Sequence, residues 1–247
     1  DISDSILDKY TRSINLIDAP FYIRSLFVRN FLSSRDRFQT YKAELEKTGG
    51  CEIRFAFGST ALQRRNYIEG LLPFNKSIVD VGCGEGFYAL RFAGKIEGSY
   101  FAIDTDKEAL ASANRKAQAK DIDNIAVFDS LDRFLEVYNG ERVDVILTEV
   151  IEHMAEDEAG KLIQSILRHI DFEYFIITTP NADFNQFYEL DGFRHDDHKW
   201  EMGKDAFQQW FSNVIKGVGV NTEFVDIGDA VNGTHTTQGV IVRRKEA

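Results

Sequence analysis

Residues 77–86 read Ser77-Ile78-Val79-Asp80-Val81-Gly82-Cys83-Gly84-Glu85-Gly86. A short apolar run passes straight into three glycines at alternate positions. The run has the length and composition of a buried strand. The glycines permit a tight turn and let backbone approach a ligand where a Cβ would clash. A G-x-G-x-G loop between a strand and a helix suits a dinucleotide or a nucleoside-type cofactor. Cys83 reads as a small filler of the loop.

Further apolar runs at 100–104, 124–128, 143–148 and 174–178 repeat the strand pattern. Helical patterns follow at 106–120, 156–170 and 204–216. Strands and helices alternating at these lengths predict βαβ units and a buried parallel sheet. Two late runs, 222–227 and 238–244, have no helix between them. They predict a closing pair with one antiparallel strand.

Residues 1–66 read differently. Asp18-Ala19-Pro20 has the form of a helix start. Ile23, Leu26, Phe27 and Phe31 recur at helical spacing among Arg24, Arg29, Arg35 and Arg37. The segment reads as a helical cover with solvated arginines, or as a basic surface for a polyanion. Residues 1–66 carry 11 Lys+Arg against 8 Asp+Glu, and residues 67–247 carry 18 against 32. Two units are expected: a mildly basic helical segment at 1–66 and a cofactor-binding domain at 67–247. No family resemblance is evident for residues 1–60.

The whole chain has 247 residues, net charge −11, 43% hydrophobic and 28% charged residues, and three prolines. These values suit a globular protein with a real core. The charge argues against non-specific binding to nucleic acid or to an anionic membrane. No apolar run approaches the roughly 18 residues that a spanning helix needs. There is no secretory pattern, and two cysteines, Cys51 and Cys83, predict a reduced, cytoplasmic protein. The chain opens on Asp1, as an excised or processed piece would.

Asp80 precedes the glycines, where a carboxylate would repel a pyrophosphate. Asp104 closes the second strand, 24 residues on, in a position suited to ribose hydroxyls. In these features residues 77–247 resemble the class I S-adenosylmethionine-dependent methyltransferases. The resemblance implies a Rossmann-like α/β fold with a mostly parallel seven-stranded sheet flanked by helices. It implies that Asp80, Gly82, Gly84 and Gly86 line S-adenosylmethionine. Asp104 would hold its ribose, with Asp129 and Ser130 near its adenine. A nicotinamide-binding Rossmann domain is the alternative.

The fourth strand runs into Thr148-Glu149-Val150-Ile151-Glu152-His153-Met154. If the chain turns helical there, Glu149, Glu152 and His153 share one face at i, i+3 and i+4. Two packed carboxylates repel unless a cation lies between them or one is protonated. Carboxylate with imidazole suits Mg²⁺, Mn²⁺ or Co²⁺. A solvated helix start is the alternative. Thr179-Pro180-Asn181-Ala182-Asp183-Phe184-Asn185 follows the fifth strand. The aperiodic stretch Phe193-Arg194-His195-Asp196-Asp197-His198-Lys199-Trp200-Glu201-Met202 reads as a loop offering His195 or His198 as a fourth ligand.

Together these motifs resemble the small-RNA 3′-terminal ribose 2′-O-methyltransferases, the HUA-enhancer type and its bacterial RNA-repair relatives. The resemblance implies methyl transfer to the 2′-hydroxyl of an RNA 3′ end. It implies one Mg²⁺ or Mn²⁺ on the catalytic residues Glu149, Glu152, His153 and His198. His198 is preferred to His195 because a Lys-aromatic-Glu tail follows it. An RNA end-healing or ligase partner is implied as well, and no membrane. Arg64, Arg65, Arg194 and the N-terminal arginines are candidates for the last phosphates. Phe184, Phe187, Tyr188 or Trp200 are candidates to stack the terminal base. Two other readings stand beside this one. The first is a small-molecule O-methyltransferase of the ubiquinone-pathway type, which also carries an E-V-x-E-H run. The second is a degenerate methyltransferase fold used as a binding module.

Overall fold

The computed structural model describes residues 53–54, 59–188 and 192–245. The helix expected from residue 18 and the arginines around it lie outside the described residues, as does Cys51.

The strands are β1 (Ile53–Arg54), β2 (Ile78–Val81), β3 (Tyr100–Ile103), β4 (Ile125–Phe128), β5 (Val143–Thr148), β6 (Phe172–Pro180), β7 (Val220–Val231) and β8 (Thr234–Arg244). The helices are α1 (Thr60–Leu71), α2 (Ala89–Phe92), α3 (Lys107–Gln118), α4 (Leu131–Leu135), α5 (Glu156–His169) and α6 (Lys204–Val214). Short 3₁₀ turns lie at Ile151–His153 and Ala182–Tyr188.

The sheet order is β1-β7-β8-β6-β5-β2-β3-β4. β4, β3, β2, β5 and β6 run parallel. β8 runs antiparallel to both β6 and β7. The expected seven strands and single reversed strand are present. The two-residue β1 adds an eighth at the edge, antiparallel to β7.

Burial on both faces dictates the strand composition. Val79, Val81, Val145, Leu147, Phe175 and Ile177 pack one face against Ile163, Ile166, Phe207 and Phe211 of α5 and α6. Ile78, Ile146, Ile176 and Tyr100 pack the other against Ile68, Phe92 and Leu110 of α1, α2 and α3. Successive strand residues alternate faces, so neighbouring isoleucines and valines serve different helix layers.

β7 and β8 are longer than the apolar runs at 222–227 and 238–244 suggest. Their turn is Asn232-Gly233, with φ 49° and 79°. Two left-handed residues are what a tight hairpin turn needs to match strand twist.

β2 is the point where strand order reverses, with β3 and β4 on one side and β5 and β6 on the other. In open α/β sheets ligands bind outside the carboxyl ends of strands at such a point. The loops after β2 and β5 therefore meet: one holds the glycines, the other Glu149, Glu152 and His153.

Candidate active site

Glu149 leaves β5 with a left-handed backbone, φ 54°. The chain does not enter an α-helix there. It makes one 3₁₀ turn, Ile151–His153, and α5 begins only at Glu156. The expected helical face is thus replaced by a sharp turn. It presents Glu152, His153 and, from the far loop, His198. One ligand atom from each lies within 4.8 Å of the others. The His153 and His198 rings meet edge to face, 4.7 Å between centroids.

Glu152 is fully buried. Its Oε2 accepts a hydrogen bond from Thr179 Oγ1 at 3.1 Å. Its Oε1 is buried with no hydrogen-bond partner. Burial, then the charge of Glu149, push its pKa well above the usual carboxylate range. A charge this costly to bury fits a cation site.

Each imidazole is oriented by a carboxylate. His153 Nδ1 lies 3.1 Å from Asp197 Oδ2. His198 Nδ1 lies 2.5 Å from Glu201 Oε1. Both rings thereby keep Nε2 for another partner, the arrangement that orients metal-binding histidines. The His153 pKa is lowered by burial and by His198 and His195, against the pull of Asp197. The neutral ring is the form that can ligate an ion.

Glu149 lines the same cavity, but it is not part of this cluster and its carboxylate is already paired. Oε1 accepts from Thr178 Oγ1 at 3.0 Å, and Oε2 pairs with Arg64 Nη1 at 3.3 Å. Arg64 comes from α1, a helix the apolar pattern did not reveal. Besides the apolar contact of Ile68, the helix has a buried polar one: Gln63 Nε2 donates to Asp229 Oδ1 at 3.0 Å and Gln63 Oε1 accepts from the Asp229 N–H at 3.1 Å. The cavity, about 660 Å³, is lined by Arg64, Glu149, Glu152, His153, His195 and His198 among others.

A second cavity of about 580 Å³ adjoins it. Gly82, Asp104 and Ser130 line this one, with Val81, Ile103, Thr105, Leu131, Val150, Met154 and Leu162. Glu149 and His153 line both cavities. Gly82 has φ 79°, and a Cβ there would overlap the Val150 side chain. Asp104 Oδ2 accepts from the Gly84 N–H at 2.7 Å, tying the glycine loop to the end of β3.

Four of the expected cofactor residues stand off this cavity. Asp80 shares the face of Ile78 and Tyr100, not that of Val79 and Val81. It is fully buried, its Oδ2 accepts from Tyr100 Oη at 2.7 Å, and burial pushes its pKa up to about 7. Gly84 and Gly86 shape the loop but are not among the lining residues, and Asp129 is an exposed partner of Lys107 at 3.7 Å. The apolar liners were missed because each reads as ordinary core.

The arginine and aromatic expectations divide. Arg194 spends its guanidinium on the protein, donating to Asn185 Oδ1, Thr236 O and Asn181 O at 2.6–2.7 Å. It holds the 193–202 loop against the end of β6. Trp200 is buried, donates Nε1–H to Met154 O at 2.9 Å and packs on Trp210. Phe184 is fully buried. Neither ring is accessible to a base, because both fill the core. The Tyr188 side chain lies outside the described residues. Among the described residues no helix is long and apolar enough to cross a membrane.

Comparisons with known proteins point to the same fold. Residues 1–50 match the family described as Hen1 N-terminal domain, and residues 78–171 the one described as Methyltransferase domain. The first match supplies a relative where the sequence reading had none. The chain is 27% identical to a small RNA 2′-O-methyltransferase of Arabidopsis thaliana over 88% of its own length and 26% of that protein. It is 25% identical to a Rattus norvegicus protein of the same name over 70% of its length and 47% of that protein. The chain thus spans between a quarter and a half of these relatives. A chain in a structure titled Pnkp1/Rnl/Hen1 RNA repair complex superposes with TM-score 0.80 at 30% identity, over 99% of this chain and 56% of that one. The small RNA methyltransferase HEN1 superposes with TM-score 0.67 at 25% identity, over 78% and 27%. The chain carries a Rossmann-like methyltransferase fold and resembles the small RNA 2′-O-methyltransferases in sequence and structure.

Proposed function

We propose that the chain transfers a methyl group from S-adenosylmethionine to the 2′-hydroxyl of the 3′-terminal ribose of RNA, with a divalent metal ion. The observation that carries this is the shared wall: Glu149 and His153 line both cavities. Whatever the glycine-loop cavity holds meets whatever the carboxylate–histidine cavity holds.

The residues fit both groups. Gly82 brings bare backbone to the wall of the second cavity, and Asp104 offers a carboxylate there for ribose hydroxyls. The orphaned Glu152 Oε1 lies beside two imidazoles whose Nδ1 atoms are committed to carboxylates. Glu152, His153 and His198 would hold Mg²⁺ or Mn²⁺, and Glu149 would join them on exchanging Arg64 for the ion, which when bound acts as a Lewis acid toward a hydroxyl. S-adenosylmethionine supplies an electrophilic methyl.

The chain's own residues position. Asp197 and Glu201 set the imidazole orientations, and Thr178 and Thr179 hold the glutamates. Arg64 adds positive charge at the cavity rim, suited to the last phosphate. A terminal RNA ribose has both 2′- and 3′-hydroxyls, DNA lacks the 2′-hydroxyl, and internal ribose lacks a free 3′-hydroxyl. The likeness to a chain from an RNA repair complex supports a place beside RNA end-healing and ligating enzymes.

The test is methyl transfer from labelled S-adenosylmethionine to a short RNA, with and without EDTA. Companion substrates carry a 2′-deoxy or 3′-phosphate terminus. Labelling of the free-ended RNA alone, lost with EDTA, is expected. Labelling of a catechol and of no RNA would overturn the reading.

A further inference from the structure

Arg64 and Arg65 are consecutive on α1, and they face different spaces. Arg64 lines the catalytic cavity. Arg65 lines a separate recess of about 810 Å³, with Glu85, Phe87, Arg91, Lys116 and Lys120. Four cations and one carboxylate face this recess, in a chain whose net charge is −11. The local sign is therefore opposite to that of the whole.

Two of the cations are already paired: Arg91 with Glu69 at 2.7 Å and Lys116 with Glu85 at 2.5 Å. Arg65 and Lys120 have no carboxylate partner among the described residues. Arg65 Nε is buried without a hydrogen-bond partner. Its guanidinium carbon lies 5.0 Å from the centroid of the Phe87 ring. Phe87 itself is 42% exposed, and Tyr88 holds it edge-on at 5.3 Å. The ring leans on Tyr88 along one edge, belongs to neither core cluster, and leaves much of its surface open. An aromatic ring beside a guanidinium plane is a surface on which an unpaired base stacks.

We propose that this recess takes the RNA strand upstream of its reacting end. Phe87 and Arg65 stack one base, and Arg65 and Lys120 neutralise phosphates, with Lys116 beside them. The contact reads no sequence, because every base has a stacking face and every nucleotide a phosphate. The proposal rests on the RNA reading above and extends it. The catalytic cavity handles the last ribose, and α1 carries the strand from that cavity to the recess.

The experiment uses the full chain and two exposed-site variants, Phe87→Ala and Lys120→Gln. Binding of a fluorescent RNA of about 12 nucleotides, within the span of known single-strand sites, is measured across a salt series. Methylation of a dinucleotide is measured in parallel. Phe87→Ala should weaken binding of the longer RNA about 5-fold or more. Lys120→Gln should lower the slope of log affinity against log salt by about 0.7, the value for one single-strand phosphate. Dinucleotide methylation should match the parent in both. Unchanged affinity and salt slope in both variants, with RNA methylation intact, would overturn this proposal alone. No binding or methylation of any RNA by the parent would overturn it together with the reading it extends.

Discussion

The Glu201 carboxylate lies 2.5 Å from His198 Nδ1, and both side chains are removed from solvent, at 0% and 2% exposure. Glu201 also accepts from Asn185 Nδ2 at 2.6 Å and from the Arg194 N–H at 2.7 Å. Burial would raise the Glu201 pKa, but these donors and the Arg194 charge hold it below the usual value. A charged carboxylate beside Nδ1 favours the tautomer that leaves Nε2 for a metal ion. Glu201→Gln preserves shape and removes that charge. Manganese affinity should fall about 10–100-fold, as for other carboxylates that orient a metal-binding histidine. Titration calorimetry with Mn²⁺ checks this, and an unchanged Kd would remove Glu201 from the site.

Glu152→Gln should separate stability from metal binding. The buried carboxylate is costly without a cation, and the amide can still accept from Thr179. In EDTA the variant should melt higher than the parent, by about 2–4 °C for each kcal/mol recovered. The rise in Tm that Mn²⁺ gives the parent should vanish in the variant. Differential scanning calorimetry with and without Mn²⁺ measures both. A variant that melts lower in EDTA would mean that the charge is not a burden.

Asp80 makes the fold pH-dependent. Burial raises its pKa from 3.8 to about 7 in the folded chain, despite the Tyr100 hydrogen bond. The folded state holds this proton more tightly than the unfolded chain does. The penalty is absent below about pH 4, grows through the window up to about pH 7, and is then constant. Each unit costs about 1.4 kcal/mol. Asp80→Asn removes this titration. Urea unfolding across the window should show a parent–variant gap that widens with pH, and a gap independent of pH would refute the assignment.

Gly82→Ala meets two obstacles, the left-handed φ of 79° and the Val150 side chain. The left-handed backbone alone costs about 1 kcal/mol or more. Binding of S-adenosylmethionine should fall at least tenfold, because the loop must move. Gly82→Ala with Val150→Ala should regain part of the lost stability and not the backbone share. Equal losses in the single and double variants would show that Val150 is not the obstacle.

Much of this protein is legible locally. The run at 143–148 matches β5 residue for residue, because a parallel strand buried on both faces is mostly apolar, here with Asp144 as its one charged residue. The closing pair was legible too, in the apolar runs at 222–227 and 238–244, although they understate its length and the Asn232-Gly233 turn went unread. The glycine loop and the E-x-x-E-H run mark the two loops that meet at the reversal of strand order. Such signals depend on neighbours within a few positions, so the sequence alone carries them.

The rest was decided by contacts between distant positions. α1 is held by Gln63 and Asp229, which are 166 residues apart, and it brings Arg64 to Glu149. Arg194 and Trp200 look like ligand contacts in a polar loop, yet the fold spends them on Asn185, Thr236, Asn181 and Met154. Asp80 sits two residues before the first glycine of the loop, yet strand alternation turns it into the helix layer under Tyr100. Sequence determines which residues can form a strand, a turn or a ligand. Which of them face a cavity depends on what packs behind them, and burial and partner choice at that range exist only once the chain has closed.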